Sequence, residues 1–446
     1  MVFSVDLFNE GVDVPEVDTL LLLRPTDSPT LFLQQLGRGL RRHHGKVLCT
    51  VLDFVGRHRA EFSFDRRLRA LFGGNRKQLI AQVEQDFPYL PSGCHIAFEG
   101  VARERVLASL KDALPRSLAR MAEHVRRMRA EGVQVTLASF LDRTGLELDD
   151  VYANARCWND IRQAAGEPLT AQGPDESELR RACGRLLHVD DGERIDLYLH
   201  WLSQEAPPLQ AEMTTFQARA LRMLLAALAT ANSLAQVQAG TLEAGAQWLW
   251  RHPNVIDELR ALFSVLRARV AHLGFALTER SDVPLRVHAR YSRAEIQAAF
   301  GDVHGADATT ADPERVTLGV PVWREGVKWM PRERCDVFLV TLTKTEKRFS
   351  PTTRYRDYAI SRNLMHWESQ SSTTAASPTG RRYQRHAEDG SAVMLFVRLT
   401  ADNRAFHFVG PATYVSHQSE MPMQIEWRLT HPLPGDLFAE YRAVAG

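Results

Sequence analysis

Apolar and polar positions change rhythm several times along the 446 residues, and each change predicts a different element. Val2–Phe8 alternates as a half-buried strand would. Asn9-Glu10-Gly11 breaks that run, and Pro15 prevents an immediate return to regular structure. Thr19–Leu23 is continuously apolar, the mark of a strand buried on both faces of a parallel sheet. Ser28-Pro29 supplies an N-cap with proline at the first helical position. The helix predicted over Leu31–Arg42 carries Phe32, Leu36 and Leu40 on one stripe, and its basic end suits the dipole. Val47–Phe54 reads as another buried strand, so residues 1–60 follow a βαβ rhythm.

Residues 61–135 are Arg-rich and mostly helical, with interruptions at Phe87-Pro88 and Pro91–Gly93. In residues 136–283 short helices flank Thr144-Gly145 with the spacing of a small helix-turn-helix; a QGPD linker (Gln172–Asp175) and an Ala/Leu-rich helical connector follow. The pattern changes again over residues 284–446. Ser292 and Glu295 form a capping box for a helix ending near Gly301. Short stretches such as Arg315–Val322, Asp336–Leu342, Ala392–Leu399, Ala405–Val409 and Met423–Leu429 then alternate between turn-rich clusters. The predicted fold is multidomain, α/β plus α+β, closing in a β-rich, barrel-like domain.

Composition narrows this picture only slightly. The formal charge is +1, which gives no global argument for a polyanionic partner. Locally, Arg38–Lys77 holds 11 Lys/Arg against 3 Asp/Glu. Five scattered cysteines without a CxxC pair argue against a disulfide framework or a zinc ribbon. No apolar run reaches the ~18 residues that span a bilayer, and no basic, cleavable leader is visible. The expectation is a soluble protein of the bacterial cytoplasm.

The chemistry concentrates in two places. In the first helix the pattern Q-x-x-G-R-x-x-R places Gln34, Gly37, Arg38 and Arg41. Arg38 and Arg41, three apart, would share a helix face and neutralise charge developing on a transferred γ-phosphoryl group. Gly37 would give close approach. Gly11-Val12-Asp13 follows a strand end, where parallel sheets place ligands. Gly11 would let backbone amides approach phosphate, while Asp13 would accept from a ribose hydroxyl or steer an Arg. Together FNEGVDVP and QLGRGLRR closely resemble motifs V and VI of superfamily-two helicases, of the bacterial restriction- and repair-type branch. The resemblance covers roughly residues 1–60. It implies a RecA-like lobe, ATP and magnesium as cofactors, nucleotide contacts from Gly11, Asp13, Gln34 and Gly37, and arginine-finger roles for Arg38 and Arg41.

The sequence departs from that family in two respects. It contains no G-x-x-x-x-G-K-[ST] phosphate loop, and Gly73-Gly74-Asn75-Arg76-Lys77 is no substitute. It also lacks a DEAD-like acidic quartet for magnesium. The parallel sheet is therefore expected to be truncated, with an exposed apolar edge, in a fragment or half of a split protein. ATP and magnesium would be held only together with an upstream helicase lobe.

The second place is Lys347–Arg385, with 8 Arg/Lys against Asp357 and Glu368. Interleaved aromatic residues suggest phosphate tracking with base stacking, by Arg354, Tyr355, Arg356, Tyr358, His366, Trp367, Arg381 and Arg382. The same aromatic residues would serve equally as the core of a β domain. RYRDYAIS, HWESQ, GRRY and FVGPATYVSH resemble the uncharacterised domain at the C-terminus of such helicases, over about 284–446. Relatives of that type often begin with a phospholipase-D-like nuclease domain. Asp336, Glu346 and Lys347 lack nuclease spacing, and His366 with Glu368 are too few ligands for a metal site. The expected function is the C-terminal part of an ATP-dependent helicase or translocase in restriction, repair or phage defence. Its partners would be nucleic acid, DNA rather than RNA, and no membrane. The alternative is a stand-alone DNA-binding module, one that reads a duplex or a modified base, beside an inert helicase remnant.

Overall fold

The computed structural model describes residues 14–23, 26, 28–54, 64–72, 76–87, 90, 94–112, 117–170, 173, 176–229, 241–271, 274–300, 326–343 and 357–442. The chain splits into two compact units, Met1–Val135 with Ser139–Val151 and Thr136–Ala138 with Tyr152–Gly446.

In the first unit, β1 (Thr19–Leu22), α1 (Pro29–Gly39) and β2 (Thr50–Asp53) form the anticipated βαβ arrangement. The strands are parallel, with Thr19 beside Thr50 and Leu22 beside Asp53. The Ser28 hydroxyl accepts from the Leu31 N–H at 3.3 Å and starts α1. The helix stops at Gly39 rather than reaching Arg42, because its end is capped. Leu40 N–H bonds the Leu36 carbonyl, and the Lys46 ammonium donates to the carbonyls of Gly39 and Arg41. Val2–Phe8 lies outside the described residues.

Helices α2 (Phe64–Phe72), α3 (Arg76–Glu84), α4 (Gly100–Asp112) and α5 (Leu118–Ala130) follow. Val83, Phe87, Val106 and Leu110 make a small core there, with Phe87 ringed by Phe72 and Phe98. Arg103 donates to the carbonyls of Val83 at 2.8 Å and Glu84 at 2.7 Å, closing the end of α3. Beyond α6 (Leu137–Thr144) and the turn at Gly145, α7 (Leu148–Val151) is a single helical turn with Leu148 and Val151 buried.

The second unit begins with α8 (Trp158–Ala164), α9 (Glu176–Cys183), α10 (Gly192–Leu202), α11 (Thr215–Leu228), α12 (Leu242–Trp250) and α13 (Pro253–Ala268). Some polar side chains buried in this block pair with other side chains, as Arg180 does with Asp160, and others with backbone at helix ends. Glu258 on α13 accepts from Tyr152 Oη at 2.6 Å and from the N–H groups of Trp158 at 2.8 Å and Asn159 at 2.7 Å, capping α8 from another helix. Then come β3 (Phe275–Ala276), β4 (Arg286–Val287), β5 (Arg290–Ser292) and α14 (Arg293–Ala299). The expected Ser292/Glu295 capping box is present.

The rest of this unit holds β6 (Val327–Met330), β7 (Cys335–Thr343), β8 (Tyr358–Ser361), β9 (Leu364–Glu368), α15 (Pro378–Arg385), β10 (Ala392–Thr400), β11 (Ala405–Gln418), β12 (Gln424–Leu429) and α16 (Gly435–Arg442). The sheet runs β6-β7-β10-β11-β12-β9-β8, with β5 added beside β11. Arg315–Val322 lies outside the described residues.

The barrel expectation is not met, because the sheet is open: among the described residues β6 and β8 are its unpaired ends. Strand alternation is common to closed barrels and to open sheets covered by helices. Here α15 and α16 contribute Tyr383, Leu437 and Tyr441 to one face, a cover that closure would otherwise supply. β7 and β10 are parallel, with Val337 beside Met394 and Leu339 beside Phe396. β7 is buried at all but its last residue and β10 through its middle, Val393–Val397, as suits a parallel pair inside a sheet.

Candidate nucleotide and nucleic-acid contacts

Helix α1 is positioned by a close approach at its end. A Cβ on Gly39 would stand 2.6 Å from Leu20 Cδ1 and 2.7 Å from Cys49 Sγ, whereas one on Gly37 would meet nothing within 4 Å. The contact glycine is therefore Gly39, not Gly37: Gly37 is exposed, and Gly39 is the position that seats the helix on β1. Phe32 is buried beneath the Arg67 guanidinium, 4.1 Å from its ring centre, and Arg67 in turn pairs with Asp53 at the end of β2. Lys46, Arg67 and Gly39 escaped the sequence reading. Only the repeated glycine in G-R-G offered a signal for one of them.

Gln34 and Arg38 lie four apart in α1 and share a face, Gln34 exposed and Arg38 half-buried. Arg41 is exposed and lies past the Leu40 cap, so the shared-face argument does not extend to it. Gly11 and Asp13 lie outside the described residues. On the sheet, Leu20 packs toward Gly39, and alternation puts Leu21 and Leu52 on the opposite side. There Leu21 is 40% exposed and Leu52 47% exposed, with Leu23 and Phe54 exposed beside them. Neither strand is buried on both faces as its continuous apolar run predicts, and these exposed apolar side chains lie on a sheet face rather than along the expected edge.

The basic-aromatic candidates of the second unit separate into two groups. Trp367 is 5% exposed and stacks on Phe338 at 4.3 Å within a cluster completed by Tyr383 and Trp427. Arg382 makes two bonds to Asp336, at 2.8 and 3.0 Å, and lies under Trp329 with its guanidinium 4.6 Å from the ring centre. Burial pushes the Asp336 carboxyl up, and the Arg382 bonds pull it back. Trp367 and Arg382 are thus part of the packing that joins α15 to the sheet.

On the other side of the same strands, the Tyr358 ring stacks on His366 at 4.7 Å and 13°. That row continues through Glu426 to Ser416, whose hydroxyl donates to Glu426 at 3.1 Å. Arg381 is exposed on α15, its Nε donating to the Ala376 carbonyl. Arg354, Tyr355 and Arg356 lie outside the described residues. Tyr358 and His366 are therefore brought together, while Trp367 and Arg382 are turned inward. Among the described residues no group of three or more His, Cys, Asp or Glu could hold a metal ion. No helix among them is long and apolar enough to cross a membrane.

Residues 321–441 match a family described as Domain of unknown function (DUF3427). The chain is also 46% identical over 56 residues to IRC3 of Saccharomyces cerevisiae, named as an ATP-dependent helicase, covering 13% of this chain and 8% of that protein. A Schizosaccharomyces pombe protein named as a mitochondrial ATP-dependent helicase is 52% identical over 48 residues, 11% of this chain and 8% of its own length. A 51.5 kDa protein of a Lactococcus phage is 42% identical over 55 residues, 12% of each chain. The chain thus contains a helicase-related region, and its matches span 8 to 12% of the length of these relatives.

Proposed function

We propose that this chain is the closing part of a nucleic-acid-dependent ATPase, a bacterial superfamily-two helicase or translocase of restriction, repair or phage defence. The observation that carries the reading is the β1–α1–β2 unit. It holds Gln34 and Arg38 on one helix face while the far side of its sheet leaves Leu21 and Leu52 exposed. Arg38, with Arg41 from the following loop, neutralises the γ-phosphoryl group of an ATP. The phosphate loop and the magnesium carboxylates come from an upstream lobe, in the same polypeptide or in a second one. DNA is the nucleic-acid partner, and the second unit contributes contacts to it.

The test is ATP turnover with and without DNA. Purified 1–446 is expected to be inactive alone and active when mixed with the polypeptide encoded immediately upstream, with Arg38→Ala abolishing the gain. DNA-stimulated turnover by 1–446 alone would sink the proposal. The stand-alone DNA-binding alternative draws support from the well-packed core of the second unit. It requires Arg38→Ala and Arg41→Ala to be silent in the mixed assay.

A further inference from the structure

Between Leu40 and Leu48 the chain returns from α1 toward β2 along the surface, and every residue on that path is exposed except one. Val47 is 97% exposed and Leu48 65%, yet Lys46 beside them is half-buried. Lysine is among the residues least often turned inward, so its burial calls for partners. It has two: the Lys46 ammonium donates to the carbonyl of Gly39, the last residue of α1, and to the Arg41 carbonyl at 3.1 Å. The last carbonyls of a helix lack intrahelical donors, and a cation there also suits the dipole. The second bond does more than cap. Arg41 lies beyond the Leu40 cap, outside the helical ladder, and Lys46 ties its backbone to the end of the helix that carries Arg38. The Lys46 N–H closes the same turn on the His43 carbonyl at 3.1 Å.

We propose that Lys46 is a positioning residue for Arg41: by joining the Gly39 and Arg41 carbonyls it holds the second arginine at a fixed place beside α1, where it meets the same γ-phosphoryl group as Arg38. The proposal rests on the ATPase reading of this unit and adds to it a residue that itself touches neither nucleotide nor metal. An arginine that neutralises charge developing on a transferred phosphoryl group acts only if its guanidinium is already in place. A misplacement of about 1 Å costs on the order of 100-fold in rate. Such an interaction is made in the transition state, so losing its geometry lowers kcat and leaves KM for ATP unchanged.

The experiment has two readouts. Hydrogen exchange of 1–446 alone compares wild type with Lys46→Met, which keeps most of the side chain's stem and removes its donors. Exchange in peptides covering 40–46 is expected to quicken about tenfold, while peptides inside 29–36 keep their rates. ATP turnover is then measured in the mixture of 1–446 with the upstream polypeptide. Lys46→Met is expected to lower kcat about 10- to 100-fold with KM unchanged. Lys46→Arg, which keeps a cation with donors, is expected to recover most of that loss. In an Arg41→Ala background Lys46→Met should cost nothing further, because the two residues act as one unit. Unchanged exchange over 40–46 overturns the positioning role whatever the turnover shows. A raised KM with kcat intact overturns it as well, since Lys46 then binds nucleotide itself. So does a loss in the Arg41→Ala background as large as in wild type. A mixture of the wild-type proteins that turns over no ATP removes the ATPase reading, and the positioning role with it.

Discussion

Substituting alanine at the two glycines of α1 separates the residue that seats the helix from the one that does not. At Gly37 the new Cβ meets nothing within 4 Å, and alanine favours a helix over glycine by up to about 1 kcal/mol. At Gly39 the same gain is opposed by approaches of 2.6 Å to Leu20 Cδ1, 2.7 Å to Cys49 Sγ and 3.0 Å to Leu20 Cγ. Overpacking of that kind costs about 1–3 kcal/mol. The propensity gain largely cancels in the comparison, so Gly39→Ala should be less stable than Gly37→Ala by roughly 1–3 kcal/mol. All eight tryptophans lie at or after Trp158, so fluorescence cannot report on this region. Hydrogen exchange of peptides spanning 19–53 can: protection should fall by a factor of about 5 to 150 in Gly39→Ala relative to Gly37→Ala. Equal protection in the two variants would refute the seating of α1 on β1 and, with it, the placement of Arg38.

Three further outcomes follow from the second unit. Glu258→Ala leaves the Tyr152 hydroxyl and the Trp158 and Asn159 amides without their acceptor, and should cost about 3–5 kcal/mol, read as a fall of roughly 10 °C in the melting temperature. Burial alone would raise the Glu295 carboxyl, but His188 and Arg194 beside it, with hydrogen bonds from His188 and Ser292, bring it down to about 2. Its folded value is thus below its unfolded value of about 4.3, so its stabilisation is present above that pH. It should disappear as pH falls toward 2, about 3 kcal/mol in all, and acid titration of Glu295→Gln should have a shallower slope in that window. A fragment of residues 321–441 lacks β5, which pairs with β11, and Val287, which packs against Gly410; it should bind hydrophobic dyes and show no sharp melting, whereas 152–446 should melt cooperatively.

The elements legible in the sequence were those whose signal is local. Ser28-Pro29 and Ser292/Glu295 each mark a helix start through a bond three residues long, and both are present as read. The apolar runs of β1 and β2 and the alternating stretches of β7, β10 and β12 are legible for the same reason. Their pairing is not. Cys335–Thr343 and Ala392–Thr400 are nearly continuous in apolar residues, which already suits a parallel central pair, but nothing nearby in the chain says that β10 rather than β8 lies beside β7. Closure depends on such long-range choices, which is why alternation suggested a barrel and the sheet is open.

The site divides along the same line. Gln34 and Arg38 share a face because helical period is local, while Arg41 leaves that face through a cap made by Lys46, whose role depends on the loop folding back. In the basic-aromatic segment the residue types alone could not separate binding from packing. Strand parity does so: Tyr358 and His366 share one row, and Trp367, one residue on, must point the other way. Parity is readable only once the strand is known, and β8 and β9 are four and five residues long, too short to announce themselves amid arginines. Arg382 adds the converse lesson. A basic residue in a basic run was the natural phosphate ligand, yet its partner Asp336 lies 46 positions upstream and fully buried. An arginine that must neutralise a buried carboxylate cannot also serve a phosphate without leaving that carboxylate uncompensated.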